Sequence, residues 1–450
     1  MSDKEKKVLE ILTMKAQSNP LCLFQYTSFD NEYLNQFKKR RAMNIRKMQL
    51  LRKQYFMLLV ASQNLSWQSR SYWTRARSQS FWEVDCQVNG DEFFKSNFRM
   101  KRSVFIELCD NLRVLEKKDT PLRKAISLHK RVAIALYVLG SSAEYRTIGN
   151  MFGVAKSTVC EIVLEFCTQT WKHLSLTYMP SFPLTREKVS ELVQGFEAIG
   201  FPQCMGAIAL LNLDCCHIEI HPRNEDATDY YNYKGWYSTI LLALVDARYR
   251  FIYINVGSPG RCNDSQIFES STLKTQLEKC PYLDEMRTPV SGVDVPIFII
   301  GDSAFRFSKT LMKPYAFQVS QNEDEKNFNY SLSKVRRVVE NGFGHVKARF
   351  RRIGKGIDNQ IQNANIIIKA CCVLHNFLNE RNDSISEKWI SALQIVERNR
   401  QYPHQEISAN DRQNNAEIIR KSLATLFTER VAVDVDGVGD SQSLEGTADS

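Results

Sequence analysis

Two apolar runs that each end in an aspartate constrain this chain more than any other feature. One, Ala207-Ile208-Ala209-Leu210-Leu211-Asn212-Leu213, leads into Asp214-Cys215-Cys216-His217-Ile218. The other, Pro296-Ile297-Phe298-Ile299-Ile300-Gly301, closes on Asp302. Short apolar runs of this kind predict buried strands. A carboxylate at the mouth of such a strand carries a desolvation cost unless something pairs with it. A third acid, Glu340, stands in a helical pattern from Lys334 to Ile353 that is crowded with arginine. Two strand carboxylates and one helix carboxylate form an all-oxygen donor set, suited to Mg²⁺ or Mn²⁺ rather than zinc. Ions held in this way can drive in-line displacement at phosphorus. Asp214, Asp302 and Glu340 are therefore the candidate catalytic and metal-binding residues of a nuclease or strand-transfer site.

The helix around Glu340 has its own periodicity. Val335, Val338, Val339, Gly342, Phe343, Val346 and Phe350 recur at about 3.6 residues and predict a core stripe. Glu340 falls outside that stripe, beside Arg336, Gly344, Lys347 and Arg351, so Arg336, Lys347 and Arg351 become candidate phosphate contacts. Taken alone, Glu340 reads more simply as an exposed acid paired with Arg336 one turn away. Only the two strand aspartates tip it toward ligation. His217 and Asp264 are secondary candidates. His217 lies three positions after Asp214, on the opposite face of a regular strand. Asp264 follows Pro259-Gly260-Arg261-Cys262-Asn263 and would cap the next helix or add a fourth carboxylate. Tyr230-Tyr231-Asn232-Tyr233-Lys234-Gly235-Trp236 mixes aromatics with Lys234. That suits stacking on unpaired bases with a phosphate contact, and equally a hairpin lip packed for its own sake.

A length of 450 residues allows two domains and additional arms. Sixty Lys and Arg against 50 Asp and Glu leave a net charge of +10, a moderate bias toward polyanionic partners. Residues 1–80 read as a basic helical arm, in which Lys38-Lys39-Arg40-Arg41 is a candidate nuclear-import signal or phosphate contact. Residues 81–180 read as a helical domain and 181–205 as a connector with a helix from Thr185 to Ile199. An α/β domain spans 206–380, a helical segment 381–430, and a disordered acidic tail 431–450, which holds five acids and no base. Twelve cysteines lie without a framework spacing, as in reduced intracellular thiols. Neither Cys215-Cys216-His217 nor Cys371-Cys372 makes a good zinc site, because adjacent strand residues face opposite ways. No apolar stretch reaches the roughly 18 residues of a membrane span, and the charged start Met1 to Lys7 lacks a secretory core.

Within the helical domain, Arg146 to Phe152, a turn at Gly153-Val154 and a helix from Ala155 to Phe166 predict a helix-turn-helix at about 146–166. Its second helix would turn Val159, Ile162, Val163 and Phe166 to the core and offer Lys156, Ser157 and Thr158 to double-stranded DNA. A plain three-helix packing unit is the alternative. From 206 onward the order is β-β-β-α-β-α-α, with a hairpin at Asp246-Ala247-Arg248-Tyr249. That order describes an RNase H-like sheet, in which the first and fourth strands are neighbours and bring Asp214 and Asp302 together.

The strings LNLDCCHIEI, YYNYKGWYS, VGSPGRCNDSQIF, IIGDSAF, NYSLSKVRRVVENGFGHVKARFRRI and IIIKACCVLHNFL resemble, in order, the blocks of PIF/Harbinger transposases and of the Harbinger transposase-derived nucleases. The resemblance runs from about Phe93 to Asn379. It implies an RNase H-like DDE catalytic domain preceded by an all-α helix-turn-helix domain. It implies two divalent ions, with Asp214, Asp302 and Glu340 as the first, second and third acids. It also implies a nuclear protein acting on DNA ends with a Myb-like partner protein, and it leaves room for a homo-oligomer. The chain departs from the family pattern at Cys215, where Gly is usual, and at Tyr233, where Arg is usual; neither position is one of the three acids.

Overall fold

A computed structural model describes residues 27–62, 78–121, 124–209, 217–220, 222, 227–232, 235–316, 321–398 and 414–439. Two compact units divide the chain, residues 1–75 and 76–450. In the first, α1 (Thr27–Ser62) carries exposed Arg40, Arg41 and Arg46 and also exposed Met48, Tyr55 and Phe56.

The second unit opens with helices α2 (Asp91–Phe98), α3 (Arg102–Asn111), α4 (Leu128–Gly140), α5 (Tyr145–Phe152) and α6 (Lys156–Tyr178). Their core is aromatic: Phe94 meets Phe98 at 4.6 Å and Phe105 at 5.2 Å between ring centroids, and Trp82 packs edge-on to Phe98. Ile106, apolar and in the middle of α3, is exposed. Gly153 ends α5 in the left-handed region at φ +69°, and the Val154 N–H donates to the Gly149 carbonyl at 2.8 Å. A Cβ at Gly153 would stand 2.9 Å from the Ser78 carbonyl oxygen, so both conformation and space call for glycine. On α6, Val159, Ile162, Val163 and Phe166 are buried, while Lys156 and Ser157 are exposed and Thr158 is half-buried. The helix does not stop at Phe166. Cys167, Thr170 and Leu174 continue its buried stripe to Tyr178, because a later helix packs along its whole length.

After α7 (Arg186–Glu197) the chain enters a six-stranded sheet. β1 (Cys204–Ala209) pairs antiparallel with β3 (Ser238–Val245), and so does β2 (His217–Glu219). β4 (Phe251–Pro259) takes the other edge of β3 along its full length, so β1 and β2 lie in tandem on one edge. After α8 (Asp264–Glu269), α9 (Thr272–Glu278) and a two-stranded hairpin of β5 (Thr288–Val290) and β6 (Val293–Val295), β7 (Phe298–Ile300) pairs parallel with β1. β8 (Leu311–Met312) pairs parallel with β7. The order across the sheet is thus β4, β3, β1 with β2, β7, β8.

Strand periodicity sorts the side chains onto two faces. Leu241, Ala243, Val245, Phe298 and Ile300 join one core with α6, α10 (Glu323–Arg349) and α12 (Ile361–Glu380), which follow α11 (Arg351–Lys355) in part. Leu242, Leu244, Ile297 and Ile299 join a second core with α7, α8 and α9. The chain ends in α13 (Glu387–Arg398) and α14 (Asn414–Gly439).

Several boundaries differ from the sequence reading. The helix expected after Asn263 is two, broken at Ser270-Ser271, where Ser271 caps the second by accepting from the Lys274 N–H. Strand β4 continues through Gly257 and Ser258 to Pro259, with Gly257 bulged at φ +119°. The β5–β6 hairpin is absent from the expected β-β-β-α-β-α-α order; its Ser291-Gly292 turn takes φ +43° and +78°. Helix α14 runs to Gly439, into the stretch assigned to a disordered tail, since neither proline nor glycine interrupts it before Gly437. Cys371 and Cys372 sit in α12 rather than a strand, fully buried, and burial pushes both thiols up. Among the described residues no helix is long and apolar enough to cross a membrane.

Asp383, just past α12, ties the helical layer to α10. Its side chain is fully buried, accepts from the Lys101 N–H at 2.8 Å, and faces Arg349 at 3.7 Å and Lys95 at 3.3 Å. Removing one member of a buried ion pair leaves the other charge uncompensated. Asp383→Ala is expected to destabilise the fold by about 3–5 kcal/mol, read as a lowered urea midpoint at unchanged slope.

Candidate active site

β1 and β7 run parallel in the middle of the sheet, with Ala207 opposite Ile300. Two residues further along that register, Ala209, the last residue of β1, stands level with Asp302. The strand parity that turns Phe298 and Ile300 toward α10 carries on to Asp302. The segment that leaves β1 holds Asp214, and residues 210–216 lie outside the described residues. Between β1 and β2 the pairing with β3 steps from Ala209–Ala243 to His217–Ile240.

Asp302 is half-buried, and burial pushes its carboxyl above the usual carboxylate range. Arg336, the Ala304 N–H and Lys313 pull in the other direction. The Ala304 N–H donates to Oδ1 at 3.0 Å. Arg336 comes from α10, which crosses β1 and β3. That helix is well specified by its ends: Asn322 caps it by accepting from the Glu325 N–H at 2.8 Å, and acids fill its first turn while Lys347 and Arg349 fill its last. Its buried stripe holds Val335, Val338, Val339, Gly342, Phe343 and Val346. Glu340 lies off the stripe, 35% exposed at its side chain, and accepts from Arg336 at 2.8 Å. Arg336 is thus paired with Glu340 and its charge also acts on Asp302 through space.

The other sequence candidates scatter. Lys347 is buried, one turn past Phe343, and does not belong to an exposed basic face as its spacing suggested. Arg351 is exposed at the start of α11, beyond the break at Phe350. Asp264 is the first residue of α8, but the cap is Asn263, which accepts from the Ser265 N–H at 3.0 Å. His217 opens β2; the side chains of His217 and Asp264 are not described. Lys234 lies outside the described residues, between Asn232 and the exposed Gly235. Tyr231 and Tyr237 are exposed and meet edge to face at 5.3 Å. Lys313, which acts on Asp302 through space, carried no signal in the sequence, because only the β7–β8 pairing brings it near.

Asp302, partly dehydrated, and Glu340 are oxygen donors of the type a hard dication takes, and its charge would hold the Asp302 carboxyl ionised against desolvation. Among the described residues no three His, Cys, Asp or Glu side chains converge, and Asp214 is not among them.

Comparison with known proteins agrees with this architecture. Residues 213–376 match a family described as DDE superfamily endonuclease, and residues 81–171 match a domain of unknown function. The stretch from 213 to 376 is thus similar to the DDE superfamily endonucleases. An Arabidopsis thaliana protein named ALP1-like is 29% identical over 64% of this chain and 71% of its own length. A Homo sapiens protein named as a nuclease, HARBI1, is 26% identical over 64% of this chain and 77% of its own. The Arabidopsis protein named Antagonist of Like Heterochromatin Protein 1 is 26% identical over 70% and 79%. No solved structure matches.

The raised Asp302 carboxyl has a consequence for stability. A group whose folded pKa lies above its unfolded value, 3.8, supports the fold fully below that value and loses this support as pH rises through the folded one. At pH 7 in metal-free buffer the ionised Asp302 is therefore a burden on the fold. Asp302→Asn is expected to raise the melting temperature there by a few degrees and to lose that advantage near pH 3, read by calorimetry across pH.

Proposed function

We propose that this chain is a divalent-metal-dependent DNA endonuclease of the PIF/Harbinger type, able to cut DNA at element ends and in principle to join it. The observation that carries the reading is the desolvated Asp302 carboxylate at the end of the central parallel strand pair, with Glu340 reached through Arg336 from the helix crossing above it. The strand order, with three antiparallel strands and two more parallel to the first, is the order expected of an RNase H-like sheet, which supports that assignment. On this reading Asp214, Asp302 and Glu340 hold Mg²⁺ or Mn²⁺, two ions in all. When bound, the metal supplies activation of the attacking oxygen and stabilisation of the leaving one. The residues of the chain do the rest. Partial burial dehydrates the Asp302 carboxylate, the Ala304 N–H orients it, and Arg336 would supply a permanent positive charge beside the reacting phosphate.

DNA binding is assigned to the α5–turn–α6 unit. Its exposed Lys156 and Ser157 at the helix start and its buried Val159, Ile162 and Val163 match what a helix-turn-helix requires. Lys234 and Arg351 remain candidate phosphate contacts. A nuclear location, a Myb-like partner and a homo-oligomer belong to the same proposal and rest on the motif resemblance.

A second reading, a domesticated protein that binds DNA or chromatin without cutting, is favoured by one observation: Glu340 is already engaged by Arg336. The same experiment decides between them. Labelled duplex carrying the terminal repeats of the gene's own locus is incubated with Mg²⁺ or Mn²⁺, with and without a Myb-like partner. Cuts at the repeat ends that vanish in Asp214→Ala and in Asp302→Asn, with binding intact, support the nuclease. Binding without cutting under every condition supports the second reading. In the same assay Lys156→Glu is expected to weaken duplex binding about tenfold or more and to flatten its salt dependence; unchanged affinity would remove the DNA-binding role of α6.

A further inference from the structure

Arg336 occupies the position of a cation in this site. Its guanidinium, with only 17% of the side chain exposed, donates to Glu340 at 2.8 Å and also acts on Asp302 through space. A guanidinium stays protonated at any physiological pH, so its charge can leave the carboxylates only by movement. The pair is easily broken. Arginine stands N-terminal to glutamate at i,i+4, the weaker of the two orders on a helix, and the glutamate end is open to solvent. A dication and this guanidinium would compete for the same carboxylate oxygens, whereas a planar fork of donors suits a phosphate.

We propose that Arg336 is the resident counter-charge of the metal site: it pairs with Glu340 in the metal-free protein, is displaced when a divalent ion takes that carboxylate together with Asp302, and then binds a phosphate of the DNA. The proposal rests on the metal-dependent reading above and adds a coupling to it. Metal binding frees the phosphate ligand, and phosphate binding holds the arginine off the acids, so each ligand strengthens the other by the same factor. Metal loading without DNA is thereby kept weak.

The test is Mn²⁺ binding to the full chain without DNA, followed by electron paramagnetic resonance of the free ion, for the parent, Arg336→Gln, Arg336→Lys and Asp302→Asn. Arg336→Gln is expected to bind Mn²⁺ about five- to tenfold more tightly than the parent, with Arg336→Lys close to the parent. In anisotropy measurements on labelled duplex, Mn²⁺ is expected to tighten binding by the parent and not by Arg336→Gln. If thermal melting finds Arg336→Gln unfolded, Arg336→Met, which keeps the packing of the stem, takes its place. A folded variant that binds Mn²⁺ no more tightly than the parent overturns the proposal and leaves the metal site standing. Parent-like Mn²⁺ affinity in Asp302→Asn, or no Mn²⁺ binding by any protein, overturns the metal reading and the proposal with it.

Discussion

The parallel pairing of β1 with β7 is the constraint on which the candidate site depends. It is a non-local contact, joining residues almost a hundred positions apart, and it decides which two strand ends meet. Because side chains alternate along a strand, the same register decides which face Asp302 takes, and it is the face that α10 covers. A slip of one residue would turn Asp302 toward the second core, away from Arg336 and Glu340. The flanking residues defend the register. Phe298 and Ile300 fill one core and Ile297 and Ile299 the other, so a slip would misplace four buried side chains at once.

Around that pairing the structure distributes charge with care. Asp302 is neither freely hydrated nor fully enclosed, and its ionised form depends on the cations nearby. Asp383 shows the contrasting solution: a fully buried carboxylate compensated by Arg349, Lys95 and a backbone N–H, which serves to lock the helical layer onto α10. Both solutions use α10: Arg336 and Glu340 near its middle, and Arg349, which faces Asp383, at its C-terminal end.

Much of this was legible in the sequence, for reasons that can be named. The apolar runs before Asp214 and Asp302 identified the central strands because buried parallel strands leave near-continuous hydrophobic sequence. The stripe of α10 was visible as a 3.6-residue repeat, and Asp246 to Tyr249 as a hairpin turn, which Asp246 closes by accepting from the Arg248 and Arg250 N–H groups. Other features depended on packing that no local pattern records. Lys347 lies two turns after Glu340 on the same side of α10 yet is buried, because α11 folds back against that end of the helix around Gly354. The extension of α6 to Tyr178 follows from its contact with α12, some 200 residues later. The influence of Lys313 on Asp302 exists only because β8 lies beside β7.

The central claim is that Asp302 and Glu340, with Asp214, share one metal site. Anomalous diffraction at the manganese edge, from crystals of the chain soaked in Mn²⁺, addresses it most directly. The account requires a peak bridging the carboxylates of Asp302 and Glu340, with the Arg336 guanidinium moved off Glu340. A peak elsewhere, or Glu340 still paired with Arg336 beside an ion bound to other residues, would contradict it.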